Sequence, residues 1–143
     1  MYKKILMPVD VFEMDLSDKA VRHAANLAKA EGTSITLVNI LPVSGRSLLR
    51  GFNADIKKFE EYMTTESDKK MTALKRLFDI DPEKIECKVR FGSVRDEIIK
   101  MSKEGDYDVI VIGSKNPSIT THLLGSNAES ILRYASIPVL VVR

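Results

Sequence analysis

The segment DVIVIGSKNPSITTHLLGSNAESILRYASIPVLVV, residues 108–142, contains in order an apolar run, a polar loop, a helical pattern and a second apolar run. We predict a strand at Asp108–Gly113, a helix at Ser126–Ala135 and a strand at Ile137–Val142, because short apolar runs between turn residues indicate buried strands. Two successive strands joined through a helix pair in parallel. The segment therefore predicts a βαβ unit of an α/β protein.

The rest of the chain repeats this alternation of strand and helix. Five strands alternating with four helices predict a three-layer α/β sandwich, with helices on both faces of a parallel sheet. In the long second helix, residues 64–70 interrupt an apolar stripe that includes Phe59 and Met71, and we expect a bend or fraying there. The remaining predicted strands are Lys3–Val9, Ser34–Leu41 and Glu83–Phe91, and the remaining helices are Ser17–Glu31, Ala54–Phe78 and Ser93–Lys103.

The composition predicts one soluble domain spanning residues 1–143. Hydrophobic residues make up 44% of the chain and charged residues 29%, and no apolar run approaches the roughly 20 residues of a membrane span. The net charge of +2 gives no indication of binding to DNA or to a membrane surface. Cys87 is the only cysteine, which excludes an internal disulfide, and we expect a cytoplasmic protein.

The carboxyl ends of the strands are where a ligand is expected. Open parallel sheets bind ligands beyond these ends, at the point where the strand order reverses. Pro8, Val9 and Asp10 follow the first strand, Ile40 lies at the end of the second, and Gly113 ends the fourth. The loop after the fourth strand is the richest in groups that hold an anion.

This loop has the main-chain features of a phosphate site. Gly113 and Gly125 bracket it, and glycine lets main-chain N–H groups approach a phosphate without an intervening Cβ. Gly125 leads into a helix, whose first turn has unpaired N–H groups and the positive end of the dipole. We expect the hydroxyls of Ser114 and Ser126 to contribute and Lys115 to add charge. The segment matches neither GxxxxGK[ST] nor GxGxxG, and a plain strand end and helix start remain the alternative.

Over its whole length the sequence resembles the universal stress protein family. The resemblance is carried by ILMPVD at the first strand, FGSVRDEI after the third, DVIVIGSK at the fourth and LLGSNAESILRYASIPVLVVR at the end. It is closest to the small single-domain members that bind ATP. It implies the strand order 3-2-1-4-5, a homodimer, and an adenine nucleotide held between the ends of the first, second and fourth strands.

The resemblance also implies which residues contact the nucleotide. The family's ATP pattern is glycine, two residues, glycine, nine residues, glycine and then serine or threonine. Here Asn116 replaces the middle glycine and is followed by eight residues, and asparagine tolerates left-handed backbone angles better than most residues. The implied contacts to ATP, with Mg²⁺ accompanying the triphosphate, are Pro8, Val9, Asp10, Ile40, Gly113, Ser114, Lys115, Asn116, Gly125, Ser126 and Asn127.

Two of these residues have an alternative interpretation. The resemblance implies that Asp10 meets the adenosine end of the ligand and that Ile40 lies against the adenine. From the residues alone, Asp10 is equally an exposed acid at the end of a strand, and Ile40 is equally a core residue. The sequence leaves both open.

In the implied order the third and fifth strands are the edges of the sheet. The third carries Glu86, Lys88 and Arg90, charges that discourage pairing with another strand. The fifth, Ile137–Val142, carries no charge until Arg143. We therefore predict a homodimer in which two copies of Ile137–Val142 meet around a twofold axis. The alternative is that helices shield this edge within one subunit.

Three other functions compare as follows with nucleotide binding. A protein of the same fold that binds no nucleotide and acts through dimerisation and protein partners is favoured by the Asn116 departure. A phosphoacceptor receiver domain needs an acid pair after the first strand and an aspartate ending the third, which instead ends at Phe91. A metabolic enzyme is not indicated, because no Ser/His/Asp set, carboxylate dyad or metal cluster is recognisable. We interpret the chain as an ATP-binding signalling or stress-resistance dimer with at most slow hydrolysis.

Overall fold

The computed structural model describes residues 2–12, 19–42, 53–114 and 125–143. Strands and helices alternate as predicted, and their ends differ from the predicted ones by a few residues. The first predicted helical residues, 17 and 18, lie outside the described residues. The elements are β1 Lys4–Val9, α1 Lys19–Ala28, β2 Ser34–Leu41, α2 Asn53–Lys75, β3 Ile85–Phe91, α3 Val94–Glu104, β4 Val109–Gly113, α4 Ser126–Tyr134 and β5 Val139–Val142, with a short 3₁₀ helix, Pro82–Lys84, before β3.

The five strands form one parallel sheet in the order β3-β2-β1-β4-β5, as the resemblance implied. Side chains alternate between its faces, because successive strand residues point to opposite sides. In β1, Ile5 and Met7 pack under α1 and α2, whereas Leu6 packs under α3 and α4. The predicted three-layer sandwich is therefore confirmed.

The predicted fraying of α2 is wrong, because the helix is continuous from Asn53 to Lys75. Ser67, in the middle of the polar segment, is fully buried and accepts a hydrogen bond from Nδ2 of Asn39 at 2.8 Å. Ser67 lies four residues before Met71 and therefore on the same buried side of the helix. Before Ser67 the predicted stripe fails, since Phe59 is 61% exposed.

The FGSVRDEI segment turns the chain from β3 into α3 at the carboxyl edge of the sheet. Gly92 has φ +149°, a conformation that residues with a side chain rarely adopt. Its N–H donates to the C=O of Leu41 at 2.9 Å, which ties the turn to the end of β2. Ser93 then caps α3 by accepting the N–H of Asp96 at 3.1 Å. This motif thus has a structural role in the fold.

We predict that Ser67→Ala lowers the free energy of unfolding by about 1–3 kcal/mol, because the buried amide of Asn39 loses its partner. Urea denaturation measures the change. Thr72→Ala is the matched control, since the hydroxyl of Thr72 is exposed and bonds only to its own helix, at the C=O of Asp68. Equal stability of the two variants would contradict the prediction.

Asp108 ties the start of β1 to the start of β4 at the amino edge of the sheet. Its Oδ2 accepts the main-chain N–H groups of Lys3 and Lys4, each at 2.8 Å. The hydrogen bond from Lys3, followed by the one from Lys4, lowers the pKa of Asp108 below its ordinary value. The folded chain therefore keeps this carboxylate ionised to a lower pH than the unfolded chain does.

We predict that Asp108→Asn lowers the Tm at neutral pH and that the difference from the parent chain shrinks in acid. A carboxylate with a depressed folded pKa contributes stability above its unfolded pKa, about 3.9, and loses that contribution as the pH falls through the folded value. Thermal unfolding followed by circular dichroism from neutral pH to about pH 2.5 tests this. Asp106→Asn, at another exposed aspartate, is the control, and a pH-independent effect of Asp108→Asn would refute the prediction.

Candidate functional site

The two central strands separate at their carboxyl ends. Pairing between β1 and β4 ends at the pair Leu6–Ile110. By contrast, β1 stays paired with β2 as far as Val9, and β4 stays paired with β5 as far as Gly113. We call the gap between Met7–Asp10 of β1 and Val111–Ser114 of β4 the β1/β4 cleft.

The β1/β4 cleft lies where a ligand is expected in this kind of sheet. The chain builds β2 and β3 on one side of β1 and then crosses to build β4 and β5 on the other. The strand order therefore reverses between β1 and β4, and ligands of open α/β sheets bind at this point, beyond the carboxyl ends.

Gly113 directs its main-chain groups into the cleft. The N–H of Ile110 in β4 donates to the C=O of Pro138, the residue before β5, at 2.9 Å, and the N–H of Ser114, the residue after β4, donates to the C=O of Val142 at 2.9 Å. Because main-chain groups of successive strand residues point to opposite sides, those of Gly113 point towards β1. Gly113, which is predicted to approach the ligand, thus has its N–H and C=O on the side of β4 that faces the cleft.

The start of α4 lies beside the end of β4. The N–H of Gly125 donates to the C=O of Ser114 at 3.3 Å. Gly125 is the N-cap of α4 and makes no side-chain capping hydrogen bond. Ser126 and Asn127 follow it in the first turn, and both are exposed. Since the first N–H groups of a helix have no intrahelical partner, this turn presents donors and the positive end of the dipole.

Among the described residues, nothing requires glycine at position 125. Gly125 has φ −59° and ψ 151°, angles open to any residue. A Cβ placed there would lie 3.6 Å from the main-chain oxygen of Ser114, which is ordinary van der Waals contact. The absence of a side chain at the start of α4 therefore needs another explanation, and close approach of a ligand supplies one.

The predicted residues at the ends of β1 and β2 contribute unequally. Asp10 is exposed, and its Oδ1 accepts the N–H of Phe12 at 3.2 Å, a turn that holds the carboxylate at the end of β1. Val9 is 6% exposed and packs under α1 and α2, so its side chain is not available to a ligand. Ile40 and Pro8 are half-buried, and Ile40 packs partly under α3 and α4.

Two predicted residues, Lys115 and Asn116, lie outside the described residues. The other nine lie at or next to the carboxyl edge of the sheet or in the first turn of α4. Asn39, which is 1% exposed and lies next to Ile40, is not among the predicted residues. A polar residue inside the apolar run SITLVNIL was the signal for it.

The described residues contain no metal-binding constellation. Within residues 2–12, 19–42, 53–114 and 125–143, no group of three or more His, Cys, Asp or Glu side chains is close enough to hold a metal ion. No helix in the same ranges is long and apolar enough to cross a bilayer.

Residues 1–143 match the model of the universal stress protein family. The chain is 56% identical to Universal stress protein G of Salmonella typhimurium over 143 residues, which is 100% of each chain. It is 26% identical to the solved structure of MJ0577 from Methanocaldococcus jannaschii, with a TM-score of 0.82, covering 99% of this chain and 96% of that one.

Two further solved structures share the fold and have adenine nucleotides bound. One is the universal stress protein from Archaeoglobus fulgidus in complex with dAMP, with 24% identity, a TM-score of 0.63, and coverage of 99% of this chain and 98% of that one. The other is a universal stress protein in complex with cAMP, with 20% identity, a TM-score of 0.65, and coverage of 99% and 97%. At these identities the likeness concerns the fold.

Proposed function

The chain belongs to the universal stress protein family, and from this premise we propose that it binds ATP and acts as a nucleotide-dependent signalling or stress-resistance dimer. The proposal takes residues 1–143 as one nucleotide-binding domain located in the cytoplasm. It assigns the base and ribose to the ends of β1 and β2, and the phosphates to Gly113 and the first turn of α4.

The observation that carries the proposal is the convergence of two main-chain donor sets at one edge of the sheet. Gly113 points its main-chain groups into the β1/β4 cleft, and the first turn of α4 presents N–H groups that the helix leaves unpaired. The hydrogen bond from Gly125 to Ser114 keeps the two sets adjacent. Such an arrangement suits a polyanion, because each N–H and the helix dipole favour negative charge.

The fold neighbours support an adenine nucleotide as the ligand class. The complexes with dAMP and cAMP place adenine mononucleotides in proteins of this fold. For a triphosphate, this chain offers the additional N–H groups and hydroxyls of Ser114 and Ser126. Mg²⁺ would accompany the triphosphate, bound by its phosphates and by water.

We propose little or no hydrolysis by this site. Hydrolysis of ATP needs a group that orients the attacking water and usually a cation that stabilises the transferring phosphoryl group. Among the described residues at the carboxyl edge, Asp10 is the one carboxylate assigned to the ligand, and the proposal puts it at the adenosine end. Occupancy of the site, rather than turnover, is then the signal.

The alternative is a protein of the same fold that binds no nucleotide and acts through dimerisation and protein partners. The replacement of the middle glycine of the family pattern by Asn116, with a loop shorter by one residue, favours it. The two functions differ in one measurable quantity, the affinity for ATP.

We predict saturable binding of ATP by the purified chain, with a Kd tighter than about 1 mM, which corresponds to about 4 kcal/mol. Isothermal titration calorimetry with ATP, ADP, AMP and GTP measures it. Protein purified without added nucleotide, then denatured, should also release material that absorbs near 260 nm if occupancy survives purification. Absence of saturable binding to any of the four would favour the alternative function.

We predict that Gly125→Asp stabilises the chain and weakens ATP binding. The new carboxylate would cap α4 and meet the positive end of its dipole, raising the free energy of unfolding by about 0.3–1 kcal/mol. The same charge would repel the phosphates, and we expect the Kd to rise at least about tenfold.

Gly125→Ser is the matched control, because it caps the helix without a charge and should weaken binding less. Thermal unfolding and calorimetry on the same preparations measure both quantities. ATP affinity unchanged in Gly125→Asp would exclude the first turn of α4 from the site.

We also propose a homodimer through the fifth strand. The strand predicted at Ile137–Val142 is Val139–Val142 in the structure and forms one edge of the sheet. Val139 and Val141 pack under α3 and α4, while Leu140 and Val142 pack under α1 and α2. These side chains are only half-buried within the subunit, and the main-chain groups of this edge that face away from β4 suit pairing with a second copy.

We predict that Val141→Pro abolishes the dimer. Pro138 and Val142 direct their C=O groups to β4, so the N–H of Val141 points outwards, and proline removes it without breaking the β4–β5 ladder. Light scattering at micromolar concentration should show a dimer for the parent chain and for Val141→Ala, the control for the lost side chain. A monomeric parent chain, or a dimeric proline variant, would count against this interface.

A further inference from the structure

The side of β1 that faces β4 follows from two hydrogen bonds. The C=O of Lys3, the residue before β1, accepts the N–H of Ser34 in β2 at 2.9 Å, and the C=O of Lys4 points the other way and accepts the N–H of Asp108, the residue before β4, at 2.8 Å. Main-chain groups of successive strand residues point to opposite sides. Lys4, Leu6 and Pro8 therefore face β4, and the residues between them face β2.

Continuation of the ladder past the pair Leu6–Ile110 requires an N–H at position 8. Val111 faces β1, and in a parallel ladder its C=O would accept that N–H. Proline has no N–H, and the pairing ends at Leu6–Ile110. Within residues 7–12 and 111–114 it does not resume, although Gly113 carries an N–H that points towards β1.

The other side of β1 is unaffected by the proline. The β1–β2 ladder passes through the pair Pro8–Val38 and continues to Val9–Asn39. Proline is normally confined to edge strands because it cannot donate to a ladder, yet β1 is the central strand of this sheet. A proline at position 8 therefore ends the pairing of β1 with β4 and leaves its pairing with β2 intact.

We propose that Pro8 is a positioning residue of the nucleotide site: by withholding one N–H it ends the β1–β4 ladder and holds the β1/β4 cleft open for the ligand. This inference rests on the proposed function. It assigns Pro8 an effect through the sheet, distinct from direct contact with the nucleotide. The C=O of Val111 and the main-chain groups of Gly113 stay available to the ligand because β1 does not consume them.

The test restores the donor with Pro8→Ala in the full chain without nucleotide. We expect the new amide at position 8 to be protected from hydrogen exchange at least about tenfold relative to a solvated amide. NMR should detect a scalar coupling between the nitrogen at position 8 and the carbonyl carbon of Val111. Calorimetry should show an ATP affinity at least about tenfold weaker than that of the parent chain.

Two controls separate the donor from other effects of removing proline. Incorporation of lactic acid at position 8 removes the ring without adding an N–H, and it should leave the ladder short and the ATP affinity close to that of the parent chain. Pro138→Ala makes the same change in chain flexibility at the amino edge, before β5, and should leave ATP binding unchanged. Thermal unfolding confirms that each variant is folded.

Several results would overturn the inference. One is a freely exchanging amide at position 8 in Pro8→Ala. Another is an extended ladder with unchanged ATP affinity, and a third is equal loss of affinity with alanine and with lactic acid. If the parent chain binds no ATP, the proposed function fails on its own, while exchange at position 8 still decides whether Pro8 ends the ladder.

Discussion

The rest of the site depends on where the main-chain hydrogen bonds of the central strands end. Parallel strands are held together by evenly spaced N–H···O=C bonds, and a polar main-chain group withdrawn from the ladder must find another partner. In this sheet the withdrawal occurs after Leu6–Ile110, where the strand order also reverses. Main-chain groups that the sheet would otherwise use are thereby left facing the β1/β4 cleft, and the start of α4 lies beside the end of β4.

Local sequence predicted the elements well because four of the strands are short apolar runs, the third alternates apolar with charged residues, and most helices have apolar residues at helical spacing. The class followed from their alternation, since successive parallel strands need a crossover. The strand order was predicted from the resemblance to a family and not from local sequence. Which strands lie side by side depends on contacts between residues far apart in the chain, and an apolar run such as Ser34–Leu41 does not specify its neighbours.

The failures of prediction have a common physical cause. The polar residues around Ser67 predict an interruption of the apolar stripe, yet Ser67 is a core residue whose hydroxyl is hydrogen-bonded to Asn39, 28 positions earlier. A buried polar pair is acceptable when each member is hydrogen-bonded to the other. Neither residue alone indicates that the two are buried and hydrogen-bonded to each other, because the pair forms only when α2 packs against the end of β2.

The glycines show why a motif alone does not define the site. Gly92 has φ +149°, so the turn into α3 requires glycine for conformational reasons. Gly125 has φ −59°, and among the described residues a Cβ there would meet only ordinary van der Waals contact, at a helix start where Ser, Thr, Asp or Asn would stabilise more. The sequence alone does not distinguish these two glycines. A glycine that no described contact requires, beside the end of β4, is the kind of local stability loss that proteins accept at binding sites, and this distinction supports the proposal that a ligand binds at the carboxyl edge.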